Sequence, residues 1–220
     1  LGDGSDAWLV LGFESADHPV DAWLDRALEL AADHGGMTRD PGEDDVGGRW
    51  RQAFLRMPYY RNETTRLGVI ADTFETAVTW DRFAALYDGV REQVGQAIEQ
   101  ATGAPALLSC RFTHVYPDGP APYFTFYALG SRNGDLQAML DRWRAIKRAA
   151  NEAVVRCGGT ITHHHAVGRD HRSGYEAQSS GLFREALQAV KSRLDPAGIL
   201  NPGVLVDPPA GPWRGGVLAP

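Results

Sequence analysis

Between Leu107 and Leu129 the sequence lays down two strands around one turn, and a long amphipathic helix stands on either side of them. The turn is Pro117-Asp118-Gly119-Pro120, four residues that favour reversal and resist regular structure. The second strand alternates Tyr123-Phe124-Thr125-Phe126-Tyr127, so period two puts the tyrosines and Thr125 on one face and the phenylalanines on the other. The helix before the pair starts at Asp81 and carries Phe83, Leu86, Tyr87, Val90, Val94 and Ile98 on one stripe. The helix after it, from about Asp135 to Cys157, carries Leu136, Leu140, Trp143, Ile146, Ala150 and Val154. Two such helices bury their stripes by lying together on the apolar face of an antiparallel sheet. The expected fold class is therefore α+β: a ferredoxin-like, mostly antiparallel sheet with long helices on one face, plus a C-terminal helix. The opposite face is left for a site.

The remaining segments extend this plan. Ala7 to Phe13 reads as a strand. Pro19 opens a helix that buries Val20, Trp23, Leu24, Ala27, Leu28 and Ala31 and ends at Gly35-Gly36. A short helix is expected from Arg49 to Arg56, stopped by Pro58. Leu67 to Ala77 reads as a strand, and a short strand leads from Gly158-Gly159 into His163. A last helix, about Leu182 to Leu194, stops at Asp195-Pro196. The expected divisions are residues 1–180 as the main domain, 181–207 as a helix and turn, and 208–220 as a loose Pro/Gly-rich tail. The chain opens Leu1-Gly2-Asp3 without methionine and reads as a piece of a longer protein.

Charge narrows the partners. A formal net charge of -6, with no block of like charges, excludes a general nucleic-acid binder. No run approaches the ~20 apolar residues of a membrane span. Cys110 and Cys157 form neither a metal motif nor a disulfide framework, so a cytoplasmic location is expected.

His163-His164-His165 is the most conspicuous chemical feature. Histidine titrates near neutrality and serves as acid, base or ligand. In an extended segment His163 and His165 point one way and His164 the other, which predicts a split role. A metal needs three or four convergent ligands; His163 and His165 can supply two, and no third stands at motif spacing, so no metal centre is expected. On the open strand face Tyr123 is placed to move a proton if a neighbour tunes it, and otherwise packs with its hydroxyl satisfied. Tyr60 and Arg61 follow Pro58. Beyond a helix end, such an arginine suits a carboxylate or phosphate; its bland role is a surface pair with Glu63.

Several segments together resemble one family. Gly158-Gly159-Thr160-Ile161-Thr162-His163-His164-His165-Ala166-Val167-Gly168 looks like the triple-histidine signature of the alkyldihydroxyacetonephosphate synthases, a branch of the FAD-linked oxidases. Cys110-Arg111-Phe112-Thr113-His114-Val115-Tyr116 followed by Tyr123-Phe124, Phe74-Glu75-Thr76 with Trp80-Asp81-Arg82, His34-Gly35-Gly36 and Gly42-Glu43-Asp44 match further segments in order, from about residue 7 to residue 205. Asn62 and Ala166 stand where that branch has aspartate and glycine.

The resemblance implies the cap domain of a flavoenzyme, with FAD held mainly by the enzyme's own N-terminal FAD-binding domain. It implies exchange of an acyl group for a fatty alcohol on dihydroxyacetone phosphate. The matching residues imply catalytic roles for Tyr123, His163, His164 and His165, substrate contacts for Arg61, Tyr60 and Arg111, and cofactor contacts for His164 and Asn201. The implied substrate is a small anionic molecule with an apolar chain, and a homodimer is among the expected assemblies. Two alternatives stay open: an FAD-dependent 2-hydroxy-acid dehydrogenase of the same superfamily, and a stand-alone ligand-binding module without catalysis.

Overall fold

The computed structural model describes residues 7–38, 46–131 and 133–207. It divides into two compact units, residues up to Tyr59 and residues from Tyr60 onward.

In the first unit, helix α1 spans Asp21–Asp33 and Gly35 follows it with φ +77°, the left-handed turn expected there. None of its residues is buried, and Trp23 leans on Phe13 and His18. The expected strand Ala7–Phe13 is irregular instead. An apolar run pairs as a strand only where a neighbouring backbone offers its hydrogen bonds, and none among the described residues reaches this one. The expected short helix at Arg49–Arg56 is the middle of a longer one: α2 runs Val46–Arg66 straight through Pro58 and crosses the boundary between the units. A proline removes one helical hydrogen bond, but Arg61, Glu63 and Arg66 are good helix formers and the helix resumes beyond it.

The second unit holds the sheet. In chain order it contains β1 (Val69–Glu75), α3 (Trp80–Thr102), β2 (Leu107–Val115), β3 (Pro120–Leu129), α4 (Leu136–Arg156), α5 (Arg172–Gln178) and α6 (Gly181–Leu194). The strands lie in the order β1-β3-β2 and every pairing is antiparallel. The fold class is α+β, with a three-stranded sheet among the described residues. The segment expected to enter His163 as a strand is irregular. Its backbone hangs from the end of β1 by two hydrogen bonds, Thr160 N–H to the Ala77 carbonyl and His163 N–H to the Glu75 carbonyl. Those partners are three residues apart on one side and two on the other, which breaks a regular ladder.

Alternation along β3 works as its pattern requires. Phe124, Phe126 and Ala128 are buried, while Tyr123, Thr125 and Tyr127 are half-buried on the other face. The core joins Phe74, Phe124 and Phe126 to Leu86, Val90, Val94 and Ile98 of α3 and Ile146, Ala150 and Val154 of α4. Phe74 and Phe124 stack with ring centroids 5.0 Å apart. Asp135 caps α4 by accepting the Ala138 N–H, and Gly103 (φ +69°) closes α3. The inward stripe of α4 differs at its start from the expected one. Met139 is buried there, whereas Leu136 and Leu140 are exposed. Further along, Lys147 is buried among the apolar residues, its Nζ bonded to the Thr73 carbonyl and 3.4 Å from Asp72.

Phe124 is fully enclosed, so Phe124→Ala is expected to cost about 3–5 kcal/mol; urea denaturation followed by circular dichroism measures it. His171 is buried against α4, with its Nδ1 on Asn151 Oδ1 and with Lys147, Asp170, His165 and Asp72 in its field. Burial lowers its pKa below the ordinary value, with Lys147 acting in the same direction. The unfolded chain therefore takes up this proton first. The His171 contribution to stability is complete above about pH 6.5 and is lost as pH falls through the lowered folded value. Denaturation midpoints at pH 7.5, 6.5 and 5.5 should fall less steeply for His171→Gln than for the unaltered chain.

Candidate active site on the open sheet face

The register of the sheet builds the site. Glu75 of β1 pairs with Tyr123 of β3, and Tyr123 pairs with Arg111 of β2, so the three stand in one row across the open face. The next rows are Thr73, Thr125, Ser109 and then Ala71, Tyr127, Leu107. The Tyr123 hydroxyl donates to Thr73 Oγ1 at 3.0 Å. The Arg111 guanidinium lies over the Tyr123 ring, 4.5 Å from its centroid, a cation–π contact. Among the described residues no carboxylate pairs with Arg111.

Pairing between β2 and β3 then slips. Phe112 faces Pro122 and His114 faces Ala121, so Thr113 is the extra residue of a β-bulge. A bulge re-aims side chains. Here both Thr113 and His114 reach Glu75: the Thr113 hydroxyl donates to Glu75 Oε1, and His114 Nδ1 stands 3.3 Å from the same oxygen.

The three histidines close the cluster from the other side. His163 Nδ1 lies 3.3 Å from Glu75 Oε1, His164 Nε2 2.7 Å from Oε2, and His165 Nε2 3.5 Å from Oε2. His164 approaches off the hydrogen-bond direction, and Oε2, though fully enclosed, has no hydrogen-bond partner among the described residues. The expected split is overturned. His164 has φ +37°, so the segment is bent, and all three rings turn to one carboxylate. Their exposure still grades outward: 20% for His163, 32% for His165 and 51% for His164. Burial lowers the His165 pKa, against the pull of Glu75. His163 Nε2 meets the Tyr116 hydroxyl at 3.2 Å, and His165 stands edge-on to the Tyr123 ring, centroids 5.6 Å apart.

The structure thus brings Tyr123, Arg111, His163, His164 and His165 together. The other named residues lie apart from that cluster. Arg61 is inside α2 rather than beyond a helix end, and its bland partner is Asp72 at 2.7 Å rather than Glu63, which pairs with Arg66. It borders a cleft of about 280 Å³ with Ile70, Met139, Leu140 and Trp143. Tyr60 sits edge-on to Tyr127 at the far end of the open face, where burial raises the Tyr127 pKa. Asn201 is an exposed turn residue with φ +43°, and among the described residues no hydrogen bond or ring contact ties it to the histidines.

Sequence reasoning missed Glu75, Thr113, His114 and Tyr116 as site residues. Period two from Ala71 and Thr73 marks Glu75 as open-faced, and that signal was available. The bulge that turns His114 has no sequence signature here.

Comparison with known proteins agrees with this architecture. Residues 1–205 match the family of FAD linked oxidases, C-terminal domain, and the chain belongs to that family. An alkyldihydroxyacetonephosphate synthase of Caenorhabditis elegans is 32% identical over 89% of this chain and 32% of its own length. The synthase of Trypanosoma brucei brucei is 28% identical over 74% of this chain and 26% of its own. An uncharacterized FAD-linked oxidoreductase of Escherichia coli is 25% identical over 66% of this chain and 30% of its own. The chain therefore spans about a third of the length of these relatives. A solved alkyldihydroxyacetonephosphate synthase superposes with a TM-score of 0.53 over 83% of this chain and 28% of that one, at 17% identity, a likeness of fold. Among the described residues no helix is long and apolar enough to cross a membrane.

The Tyr123 hydroxyl makes one neutral hydrogen bond. Tyr123→Phe is accordingly expected to keep the fold and cost no more than about 1.5 kcal/mol, read as a small shift in the urea midpoint.

Proposed function

We propose that this chain is the substrate-facing cap of an FAD-dependent enzyme, and that the enzyme exchanges the acyl group of an acyl-dihydroxyacetone phosphate for a long-chain alcohol. The observation that carries the reading is the convergence of Tyr123, Arg111 and the three histidines on one open face. The similarity to two named synthases supplies the reaction.

The residues fit one end of the cofactor. Arg111 and the half-exposed His164 offer donors to an electron-rich ring edge or an anionic headgroup. Gly103 and Gly158, which a phosphate loop would use differently, follow the ends of α3 and α4. The face thus suits the flavin ring and the substrate rather than a dinucleotide pyrophosphate, which falls to the enzyme's own N-terminal FAD-binding domain. When bound, the flavin supplies the electron sink for the difficult step.

This chain's residues do the rest. Arg111, which has no carboxylate partner among the described residues, draws the phosphate of the substrate. The Tyr123 hydroxyl moves a proton at the carbon next to the substrate carbonyl, held in place by Thr73. His165, which burial keeps toward its neutral form, stands edge-on to the Tyr123 ring. Glu75 holds the histidine loop to the sheet.

The test uses an enzyme in which this domain is joined to its FAD-binding partner. Tyr123→Phe should lower turnover of the acyl-dihydroxyacetone phosphate by ~10²–10⁴, with flavin content and thermal midpoint nearly unchanged. Unaltered turnover would remove Tyr123 from the reaction. Flavin reduction by a 2-hydroxy acid, with no alcohol exchange, would reassign the enzyme as a dehydrogenase.

A further inference from the structure

We propose that Lys147 is a positioning residue for the Tyr123 hydroxyl, acting through Thr73 from the helix side of the sheet. This deepens the proposed function and rests on the reading of Tyr123 as the group that moves a proton.

The argument starts at the edge of the sheet. β3 pairs with one side of β1 only. Along the other side, outward carbonyls recur at every second residue. The Ala77 carbonyl accepts from the Thr160 N–H, and the Glu75 carbonyl accepts from the His163 N–H. Thr73 is next in that series, and its carbonyl accepts from Lys147 Nζ at 2.9 Å. The lysine of α4 therefore takes over where the histidine segment stops.

Burying a lysine costs more than closing a strand edge requires. The Lys147 side chain is 7% exposed, and its counter-charge is Asp72 at 3.4 Å. Asp72 is itself fixed, because Trp143 Nε1 donates to Oδ2 and Arg61 donates to Oδ1, each at 2.7 Å. The Nζ also lies 6.0 Å from the centre of the Phe74 ring. The lysine head is thus held between an anchored carboxylate, a core ring and one main-chain oxygen.

The open side of Thr73 shows what that precision serves. Its Oγ1 accepts the Tyr123 hydroxyl at 3.0 Å. Threonine is β-branched and has few χ1 choices, so fixing its main chain fixes where its hydroxyl stands. The series Lys147 Nζ, Thr73 carbonyl, Thr73 hydroxyl and Tyr123 hydroxyl runs from α4 across β1 to the open face. A reacting group misplaced by about 1 Å loses about 10² in rate. An edge strand held on one side only would leave the Tyr123 hydroxyl that freedom.

The experiment uses the enzyme in which this domain is joined to its FAD-binding partner, with an acyl-dihydroxyacetone phosphate as substrate. Lys147→Met keeps the reach of the side chain and removes its donor. It should lower kcat by about 10² with KM nearly unchanged, and with flavin content as in the unaltered enzyme. In a Tyr123→Phe background the same change should have no further effect, because the hydroxyl it positions is gone. A lysine that only closes the edge would slow both backgrounds alike, so additive losses overturn the proposal, as does an unchanged kcat for Lys147→Met. In both of those cases a slow Tyr123→Phe enzyme leaves the reading of Tyr123 standing. Normal turnover by Tyr123→Phe is the different result that removes that reading, and the role of Lys147 falls with it. A second measurement needs no variant. In the unaltered chain the Lys147 Nζ protons should exchange slowly with water and show an NMR coupling across the hydrogen bond to the Thr73 carbonyl carbon. Fast exchange with no such coupling overturns the proposal even where Lys147→Met does not fold.

Discussion

A carboxylate at the end of an edge strand, taken wholly out of water, organises this structure. Glu75 is fully buried, and a lone ion in such a place is too costly to persist. Its compensation comes from Thr113, His114, His163, His164 and His165. Those groups belong to β2 and to the loop after α4, not to β1 itself. Satisfying one carboxylate therefore fixes two distant segments against the sheet, and the open face acquires its rim in the same act.

The loop that supplies the histidines is held from behind by groups that do no chemistry. The Thr160 side chain accepts the Ala77 N–H, and the Thr76 hydroxyl donates to the Thr160 carbonyl. Gln178 of α5 donates to the Gly159 carbonyl and accepts the Ile161 N–H. Two glycines make that docking possible. A Cβ at Gly159 would lie 2.5 Å from Leu86 Cδ1, and one at Gly174 would lie 2.2 Å from Ile161 Cδ1. The loop is irregular but tightly specified, so His164 can hold a left-handed conformation that an extended strand would not allow.

How much of this could be read in advance depends on how local the cause is. The stripes of α3 and the alternation of β3 are local, and they placed Leu86, Val90, Val94, Ile98, Phe124 and Phe126 correctly in the core. Tyr123 followed from the same alternation. Other features need partners far away in sequence. Ala7–Phe13 has the composition of a strand but no neighbour among the described residues to pair with, and Pro58 failed to stop α2 because the residues beyond it favour helix. The opposed directions expected for His163 and His164 assumed an extended backbone. Glu75, 88 residues from His163, is what bends it. The α5 helix, only seven residues long, carries too little periodicity to be seen.

The same reasoning reverses the ranking of the two arginines. Arg61 attracted attention because aromatics flank it, yet its guanidinium is taken by Asp72, which also accepts from Trp143. Binding an external anion there would first have to break an ion pair whose acid is only 11% exposed. Arg111 was named second, from a resemblance, and looks unremarkable in sequence. The register sets it beside Tyr123, where the ring face steadies the guanidinium without consuming its hydrogen-bond donors. A cation held by a π-face keeps its N–H groups free for a ligand, whereas a cation held by a carboxylate does not. On that physical ground the proposed reading gives the anion-facing charge of this site to Arg111. The proton-handling groups proposed above are its neighbours, with Tyr123 in the same row of the sheet and His165 edge-on to that ring.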